Sequence, residues 1–250
     1  MKRVAIVGAG PAGFYSAEQL VNAGFEVDLY DRLPTPFGLV RAGVAPDHPK
    51  IKSVTRVYEK TARHPAFRYF GGVELGRDVT REDLLERYHA LLYAFGTATD
   101  RRLGIPGEDL EGSHAATEFV AWYNAHPDAA DHAFDLSVRR ALVIGNGNVA
   151  LDVARMLVLA EEELAPTDTA DQALTAFGES GVQEVIVLGR RGPAQAAFTT
   201  PELRELGELT QADVIVDPAQ LEGVEEPADT TAKRNLEALR DYAARQPSGK

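Results

Sequence analysis

Short apolar runs alternate with segments of helical spacing along this chain, and the pattern is clearest at the N-terminus. Val4–Val7 is a continuous apolar run, Pro11–Ala23 follows with helical spacing, and Phe25–Tyr30 forms a second run. A short run without polar alternation is typical of a parallel strand that is buried on both faces. The N-terminal segment is therefore predicted to fold as strand, helix and strand.

The same order returns in the second half of the chain. Ala141–Ile144 is apolar, Val149–Leu157 has helical spacing, and Val182–Leu188 is apolar again. Apolar runs that alternate with helical segments predict an α/β fold with parallel sheets. We predict two such domains, formed by residues 1–103 and 104–250. A glycine-rich turn follows the first strand of each, at Gly8–Gly13 and at Gly145–Ala150, and this combination predicts Rossmann-like dinucleotide-binding domains.

Further elements follow from local signals. Thr80, with Asp83 three residues later, has the pattern of a helix capping box. The stretch Arg101–Gly112 contains Pro and several Gly and is predicted to link the two domains. The acidic segment Glu161–Asp171 is predicted to be a solvated helix–loop insertion with no active chemistry. The other predicted elements are a helix from Asp47 or His48 to Arg63, strands at Phe67–Phe70, Val73–Leu75, His89–Phe95 and Asp213–Val216, and helices from Ser113 to Tyr123, from Thr200 onward, and at Thr231–Arg245.

Composition narrows the range of functions. The 250 residues carry a formal net charge of −12, which argues against general nucleic-acid binding because phosphates require a basic face. The absence of cysteine excludes disulfides, thiolate metal sites and redox dithiols made from this chain. No apolar stretch reaches transmembrane length, and the first strand starts directly after Met1-Lys2-Arg3. We therefore expect no signal peptide, no membrane association and a cytoplasmic protein.

A complete G-x-G-x-x-G motif joins the first predicted strand to its helix. Such a turn places unpaired N–H groups and the positive end of the helix dipole against a pyrophosphate. Asp31 follows the last glycine by 18 residues, close to the roughly 20 expected for an acid that binds a ribose hydroxyl. Because Asp31 would repel a 2′-phosphate, the site should take FAD or NAD rather than NADP. The predicted cofactor contacts of the turn are Gly8, Gly10, Pro11, Ala12 and Gly13.

A second glycine turn lies between the strand that ends at Ile144 and the next helix. Its third small position is Ala150 instead of Gly, which makes the motif weak evidence by itself. Where the first motif leads to Asp31, this one leads to Arg190 and Arg191, whose guanidinium groups suit a 2′-phosphate. We favour NADP over NAD here, against the alternative of a solvated basic turn. The predicted contacts of this turn are Gly145, Asn146, Gly147, Asn148 and Val149.

Four sequence blocks resemble a known family. They are GAGPAGFYSA, PFGLVRAGVAPDHPKIK, GGVELGRDVT and GRRGPAQAAFTTPELRE, and they occur in intact order. In these blocks the chain is similar to adrenodoxin reductase and its bacterial relatives, the ferredoxin–NADP reductases of that type. Members of that family are longer and return to the FAD domain after the NADP domain. We therefore expect this chain to be the truncated N-terminal portion of such a protein, with an FAD domain that is incomplete at its C-terminal part.

The resemblance also implies roles for residues of the first domain. It implies that the proline-rich loop containing Gly38 lies along the FAD, with Leu39 on the flavin side. It further implies that the backbone of Leu75 contacts the adenine, and that His48 lies near the flavin and the nicotinamide. Without the resemblance, His48 would be interpreted as a helix cap with no chemical task.

In the second domain the resemblance draws attention to acidic residues. It implies that Glu202 contacts NADP and that Glu205 approaches the nicotinamide. Together with His48, Asp152 and Glu205 are candidates for orienting the nicotinamide or handling a proton. The alternative for all three acids is that they complement a helix dipole near a helix start.

The resemblance implies an FAD-dependent oxidoreductase that passes a hydride from NADPH to FAD and then single electrons to a ferredoxin-type iron–sulfur protein or flavodoxin. Two alternatives stay open: another two-dinucleotide flavoprotein, such as a monooxygenase or a glutamate-synthase-like subunit, and a non-catalytic NADP-binding fragment. The basic residues of the last predicted helix form either a docking face for an acidic carrier or an ordinary solvated surface. They are Lys233, Arg234, Arg240 and Arg245.

Overall fold

The computed structural model describes residues 2–97 and 99–250, and its contacts divide the chain into two units. The first unit comprises Met1–Asp109 and Asn124–Pro127, and the second comprises Leu110–Tyr123 and Asp128–Lys250. The chain thus leaves the first unit near residue 110 and returns to it briefly. The predicted division between residues 103 and 104 remains a proposal.

A four-stranded parallel sheet lies at the centre of the first unit. Its strands are β1 (Arg3–Val7), β2 (Glu26–Asp31), β3 (Phe67–Gly71) and β4 (Ala90–Tyr93), in the order β3-β2-β1-β4. β1 lies between β2 and β4, with Val4 opposite both Val27 and Ala90. This position explains why β1 is apolar without alternation.

The helices of the first unit follow the strands in βαβ order. They are α1 (Pro11–Asn22), α2 (Leu39–Ala42), α3 (Pro49–Lys52), α4 (Thr55–Ala62) and α5 (Arg81–Arg87). The predicted capping box is confirmed, since the Thr80 hydroxyl accepts from the Asp83 amide and the Asp83 carboxylate accepts from the Thr80 amide.

Hydrophobic clusters cover both faces of this sheet. On one face, Ile6 and Leu29 pack with Phe14 of α1 and lie fully buried. On the opposite face, Val7 packs with Leu84 of α5. The strand β1 is therefore enclosed on both sides, and its carboxyl end leads directly into the glycine turn.

A buried carboxylate joins β2 to β3. Asp28 is 1% exposed, and its two oxygens accept hydrogen bonds from Nε and Nη2 of Arg68 at 2.7 and 2.6 Å. The Tyr88 hydroxyl also donates to Asp28. Burial and this hydrogen bond raise the pKa of Tyr88, so the phenol stays a neutral donor. Three donors therefore satisfy a carboxylate that water scarcely reaches.

The helix predicted to run from residue 47 or 48 to Arg63 is interrupted. The amide of Val54 donates to the carbonyl of Ile51, three residues back, which tightens the chain between α3 and α4. The Ser53 hydroxyl donates to the Lys50 carbonyl at 2.6 Å. A hydroxyl that binds the backbone in this way competes with regular helix hydrogen bonds, so the helix divides.

The predicted strand Val73–Leu75 is wrong. Only an isolated bridge joins Leu75 to Val79, because the chain reverses at Gly76, whose amide donates to the carbonyl of Val79 at 2.8 Å. The amide of Val73 instead donates to the carbonyl of Asp31 at 2.9 Å. This segment is consequently a loop at the carboxyl end of β2.

The second unit contains a two-stranded parallel sheet, formed by β5 (Arg140–Ile144) and β6 (Glu184–Leu188). Its helices are α6 (Ala116–Tyr123), α7 (Asn148–Met156), α8 (Glu161–Leu164), α9 (Asp171–Gly178), α10 (Thr200–Glu205) and α11 (Thr230–Ala243). The prediction of a second strand–turn–helix–strand motif is confirmed by β5, α7 and β6. Nowhere in residues 2–97 and 99–250 is a helix both long and apolar enough to cross a membrane.

The core of the second unit is aromatic and includes Trp122. Trp122 stacks on Phe119 and lies edge-on to Phe177, with ring centroids 5.5 and 5.7 Å away. Leu164 and Met156 are fully buried in the same cluster. The predicted helix–loop insertion is confirmed by α8 and the largely exposed turn after it, and Leu164 of α8 anchors the insertion to the core.

One face of the β5–β6 sheet is apolar and exposed. In both strands the side chains alternate, and Val143 and Val187 belong to the hydrophobic clusters of the unit. The exposed face, opposite to these two valines, consists of Leu142, Ile144, Ile186 and Leu188, and each of these side chains is more than one third exposed.

Two further predictions in this unit need correction. The helix predicted to reach Tyr123 is confirmed, but it begins at Ala116, so Ser113 does not cap it. The segment 213–216 is not a strand, because it does not pair with a neighbouring strand. Its first residue, Asp213, instead contacts the C-terminal segment, where its carboxylate accepts hydrogen bonds from the amides of Ser248 and Gly249.

Replacing Arg68 should loosen the β2–β3 pair. Arg68→Met leaves the buried Asp28 carboxylate without its bidentate partner. We expect the free energy of unfolding to fall by about 2 kcal/mol. The loss is smaller than for a fully enclosed ion pair because Arg68 itself is half-exposed. Hydrogen exchange of the β2 and β3 amides measures the change. Arg77→Met, which removes the exposed pairs of Arg77 with Glu74 and Asp78, is the matched control and should leave the exchange of the β2 and β3 amides unchanged. Equal effects of the two variants would contradict the role of the pair.

Candidate functional site

The first glycine turn is shaped by backbone contacts that admit no side chain. Gly8 has φ of +112°, and a Cβ there would lie 2.4 Å from the carbonyl carbon of Ala94. A Cβ at Gly13 would lie 2.0 Å from the carbonyl oxygen of Gly8. Both positions therefore require glycine, and α1 can pack directly against the end of β1.

Gly10 differs from its two neighbours in the motif. It is the N-cap of α1, and no protein atom lies within 4 Å of the Cβ position at Gly10. Pro11 and the exposed Ala12 follow in the first turn of α1. The space at Gly10 is thus on the side where the N-terminus of a 12-residue helix points, as a pyrophosphate site requires.

Asp31 is held beside this turn by two backbone amides. Its Oδ2 accepts from the amide of Ala9 at 2.7 Å, and its Oδ1 accepts from the amide of Leu33 at 2.8 Å. A carboxylate has further lone pairs, so each oxygen can still accept a ribose hydroxyl. The burial of Tyr69 and the charge of Asp31 raise the pKa of Tyr69 to about 12, and its hydroxyl donates to the carbonyl of Leu33.

The proline-rich loop lies against the glycine turn. Gly38, with φ of +49°, approaches so closely that a Cβ on it would lie 2.9 Å from the Cα of Gly10. Phe37 has φ of +93°, unusual for a residue with a side chain and costing about 1–3 kcal/mol. Its amide donates to the carbonyl of Ala9 at 2.8 Å, and its ring packs on Phe14. These contacts hold the loop in this strained conformation.

Leu39 and His48 occupy opposite environments in this loop region. Leu39 is 61% exposed, although its neighbour Val40 is buried. His48 is 9% exposed and precedes α3, but its side chain makes no capping hydrogen bond to that helix. Its Nε2 lies 3.9 Å from Oδ1 of Asp47. The capping alternative for His48 is therefore not supported by the geometry.

The second glycine turn repeats the plan of the first. The amide of Gly145 donates to the carbonyl of Leu188 at 2.9 Å, which ties the turn to the end of β6. Gly147 is the N-cap of α7, and a Cβ there would meet no atom within 4 Å. Val149, in the first turn of α7, is half-exposed. The open side of this turn again lies at a helix N-terminus.

Both asparagines of this turn bind the segment that follows the arginine pair. The carbonyl of Asn146 accepts from the amide of Ala197 at 2.7 Å. Oδ1 of Asn148 accepts from the amide of Thr199, also at 2.7 Å. The sequence pointed to Asn148 as a cofactor contact and missed this structural task. The two bonds connect the glycine turn to the start of α10.

Arg190 and Arg191 are exposed directly after β6. The preceding residue, Gly189, lies so close to Asn146 that a Cβ on it would be 2.5 Å from Nδ2 of that side chain. Within residues 2–97 and 99–250, neither arginine forms an ion pair with an acid. Two guanidinium groups are thus presented to solvent next to the second glycine turn.

A buried hydrogen-bond network supports the same segment from α11. Asn235 is 1% exposed, its Nδ2 donates to the carbonyl of Phe198 at 2.9 Å, and its Oδ1 accepts from the Thr200 hydroxyl at 2.6 Å. Asn235 was not predicted from the sequence, because only the basic residues of its helix were considered there.

The three acids singled out in this unit converge on one arginine. Nη1 of Arg155 lies 2.8 Å from Oε2 of Glu205 and 3.7 Å from Oε2 of Glu202, and Nη2 lies 3.2 Å from Oδ1 of Asp152. Asp152 and Arg155 lie on α7, whereas the glutamates lie on α10. Arg155 was not among the residues predicted from the sequence, although its spacing of three from Asp152 is a helical ion-pair signal.

Known proteins resemble this chain along nearly its whole length. The model of the family described as pyridine nucleotide-disulphide oxidoreductase matches residues 2–187. The NADPH-ferredoxin reductase FprA of Mycobacterium leprae is 52% identical over 255 residues, which cover 98% of this chain and 56% of that protein. The mitochondrial NADPH:adrenodoxin oxidoreductase of Salvelinus fontinalis is 46% identical over 250 residues, covering 98% of this chain and 50% of that protein.

A solved structure agrees with these relatives. Mycobacterium tuberculosis FprA in complex with NADPH has a TM-score of 0.96 and 52% sequence identity, over 99% of this chain and 57% of that chain. The chain therefore spans about half the length of the curated relatives that it matches.

Removing the Asn235 amide should loosen the segment between the arginine pair and α10. Asn235→Leu leaves the Thr200 hydroxyl and the Phe198 carbonyl buried without their partner, at a cost of about 1–3 kcal/mol for each group. Faster hydrogen exchange in residues 196–205 is the expected result. Glu237→Leu, at an exposed position of the same helix, should leave exchange there unchanged. Unchanged exchange in Asn235→Leu would show that the network does not hold the segment.

Proposed function

The chain belongs to the pyridine nucleotide-disulphide oxidoreductase family, and from that premise we propose that it oxidises NADPH with FAD as its cofactor. In this proposal it delivers the electrons to a ferredoxin-type iron–sulfur protein or flavodoxin. The resemblance to ferredoxin–NADP reductases of the adrenodoxin-reductase type is confirmed by the relatives. Because the chain spans about half of their length, the complete activity is part of the proposal.

The observation that carries this proposal is the contrast between two similar turns. Each joins a parallel strand to a helix through glycines and leaves an open surface at the helix N-terminus. The first lies beside Asp31, whose carboxylate would repel a 2′-phosphate. The second lies beside Arg190 and Arg191, whose charges would attract one. Two unlike dinucleotides, one with a 2′-phosphate and one without, match this arrangement.

The residues of the first unit fit FAD. The open surface at Gly10 leaves room for a pyrophosphate, and Asp31 is fixed for a ribose hydroxyl. In the proposal, the turn from Gly8 to Gly13 holds the pyrophosphate, Gly38 and the exposed Leu39 border the flavin half, and the loop at Leu75 borders the adenine. When bound, FAD supplies the conversion between a two-electron hydride donor and a one-electron acceptor.

NADPH is the proposed substrate of the second unit. The turn from Gly145 to Val149 binds its pyrophosphate, and Arg190 with Arg191 binds its 2′-phosphate. Glu202 contacts the dinucleotide at the start of α10. We assign to His48, Asp152 and Glu205 the orientation of the nicotinamide or the holding of a proton.

The partner and the compartment follow from the same proposal. An acidic electron carrier would meet exposed basic side chains on α11 and directly after it. Lys233 of α11 already pairs with Glu226, and Arg245, which follows the end of α11, lies 4.5 Å above the Tyr242 ring. Arg234 and Arg240 are the other basic residues of this surface. We place the protein in the cytoplasm, where proteins rarely contain structural disulfides, because the sequence has no cysteine to form them.

Removing the arginine pair should change the preference between the two nicotinamide dinucleotides. Arg190→Ala with Arg191→Ala removes two charged donors to the 2′-phosphate, each worth about 1.5–3 kcal/mol. Calorimetric titration should show NADP⁺ affinity falling about a hundredfold or more while NAD⁺ affinity changes little. Arg204→Ala, at an exposed position of α10, is the control. Equal losses for both dinucleotides would sink the assignment of the 2′-phosphate.

Two glycine substitutions separate flavin binding from folding. In Gly10→Ala the added methyl enters open space, so the protein should keep its thermal stability, but the methyl would occupy the place proposed for the pyrophosphate. Gly13→Ala forces a clash with the Gly8 carbonyl and should destabilise the first unit. Visible absorption of the purified chain after incubation with FAD measures binding, and circular dichroism measures stability. A Gly10→Ala variant that retains the flavin as well as the unmodified chain contradicts the proposed site. NADP⁺ binding without any flavin in the unmodified chain favours a non-catalytic fragment.

A further inference from the structure

Arg155 is a buried charged group that the proposed function does not use. Its side chain is 4% exposed and lies on α7, among the buried neighbours Leu151, Ala154 and Met156. Burial of a guanidinium costs several kcal/mol unless its charge and donors are matched. An apolar side chain would pack here without that cost, so the arginine must be explained by its polar partners.

The partners of Arg155 connect two elements that border the second glycine turn. One guanidinium lies within 4 Å of carboxylates from Asp152 on α7 and from Glu202 and Glu205 on α10. Glu202 is itself buried, and its Oε2 is fully enclosed. Without the guanidinium, three carboxylates in a small volume would repel one another and separate. Arg155 therefore holds the carboxylates of α7 and α10 at fixed positions beside one another.

The location of this cluster relative to the turn follows from the helix. Asn148 opens α7, and Asp152 and Arg155 lie four and seven residues further on, about 6 and 10 Å along the axis. The start of α10 is brought to the same place, because the Thr199 amide donates to Asn148. The acids on Arg155 thus lie beside the turn. They are separate from the arginine pair after β6, to which the proposed function assigns the 2′-phosphate.

We propose that Arg155 is a positioning residue for the nicotinamide half of NADP(H), acting through the carboxylates of Asp152, Glu202 and Glu205. This inference rests on the proposed function of the second unit. The three carboxylates are acceptors of the kind that a carboxamide N–H₂ needs, and their usefulness depends on fixed geometry. Arg155 provides that geometry without contacting the dinucleotide.

The test compares two ligands that share the 2′-phosphate end. Adenosine 2′,5′-bisphosphate lacks the nicotinamide half, and NADP⁺ contains it. In Arg155→Met, titration calorimetry on the 250-residue chain should show NADP⁺ affinity reduced about tenfold, while affinity for the bisphosphate stays within about twofold. Arg155→Lys keeps the charge but not the forked donors, so it should lie between. Arg204→Met, exposed on α10, should match the unmodified chain with both ligands.

Each other outcome has a distinct meaning. If both ligands weaken equally in Arg155→Met, the arginine only stabilises the fold and the inference is overturned. The inference also fails if neither ligand weakens, or if the unmodified chain binds NADP⁺ no better than the bisphosphate. Should Arg155→Met not fold, the ratio of the two affinities in Arg155→Lys decides in the same way. An unmodified chain that binds neither ligand would instead refute the proposed function.

Discussion

The approach of α1 to the end of β1 governs the first unit. A side chain at Gly13 would overlap the carbonyl oxygen of Gly8, so only a bare backbone lets the helix start directly above the strand. That start places the open surface of Gly10 at the carboxyl edge of the sheet. Asp31 reaches the same place because its carboxylate binds the amide of Ala9. The acid, the helix terminus and the open space are therefore set by one steric contact.

The second unit reaches a similar result with a looser turn. A Cβ at Gly145 would lie 3.5 Å from the Cβ of Ala150, an ordinary contact, so the third glycine is not needed. Instead, Asn146 and Asn148 bind the backbone of the segment that leads into α10. Side-chain and backbone hydrogen bonds thus hold the second turn in place, whereas close packing holds the first turn. The arginines after β6 are placed beside the turn because the Gly145 amide donates to the carbonyl of Leu188 at the end of that strand.

The sequence was informative where neighbouring residues determine the structure. The continuous apolar run of β1 and the box at Thr80 needed only local reasoning. The runs at 73–75 and 213–216 misled, because an apolar segment becomes a strand only if a partner strand is available. Arg155 and Asn235 escaped notice since their partners lie up to 50 and 37 residues away. Which residues touch a cofactor remains a prediction, because local patterns show chemistry but not contact.

The position of Trp122 has an optical consequence. It is the single tryptophan of the sequence, and it is enclosed by Phe119, Phe134 and Phe177 in the core of the second unit. Indole emission excited beyond the tyrosine band therefore originates from that unit alone. A red shift of this emission marks the opening of the aromatic cluster, whatever the state of the first unit. The molecule carries a native probe that distinguishes the melting of one nucleotide-binding motif from that of the other.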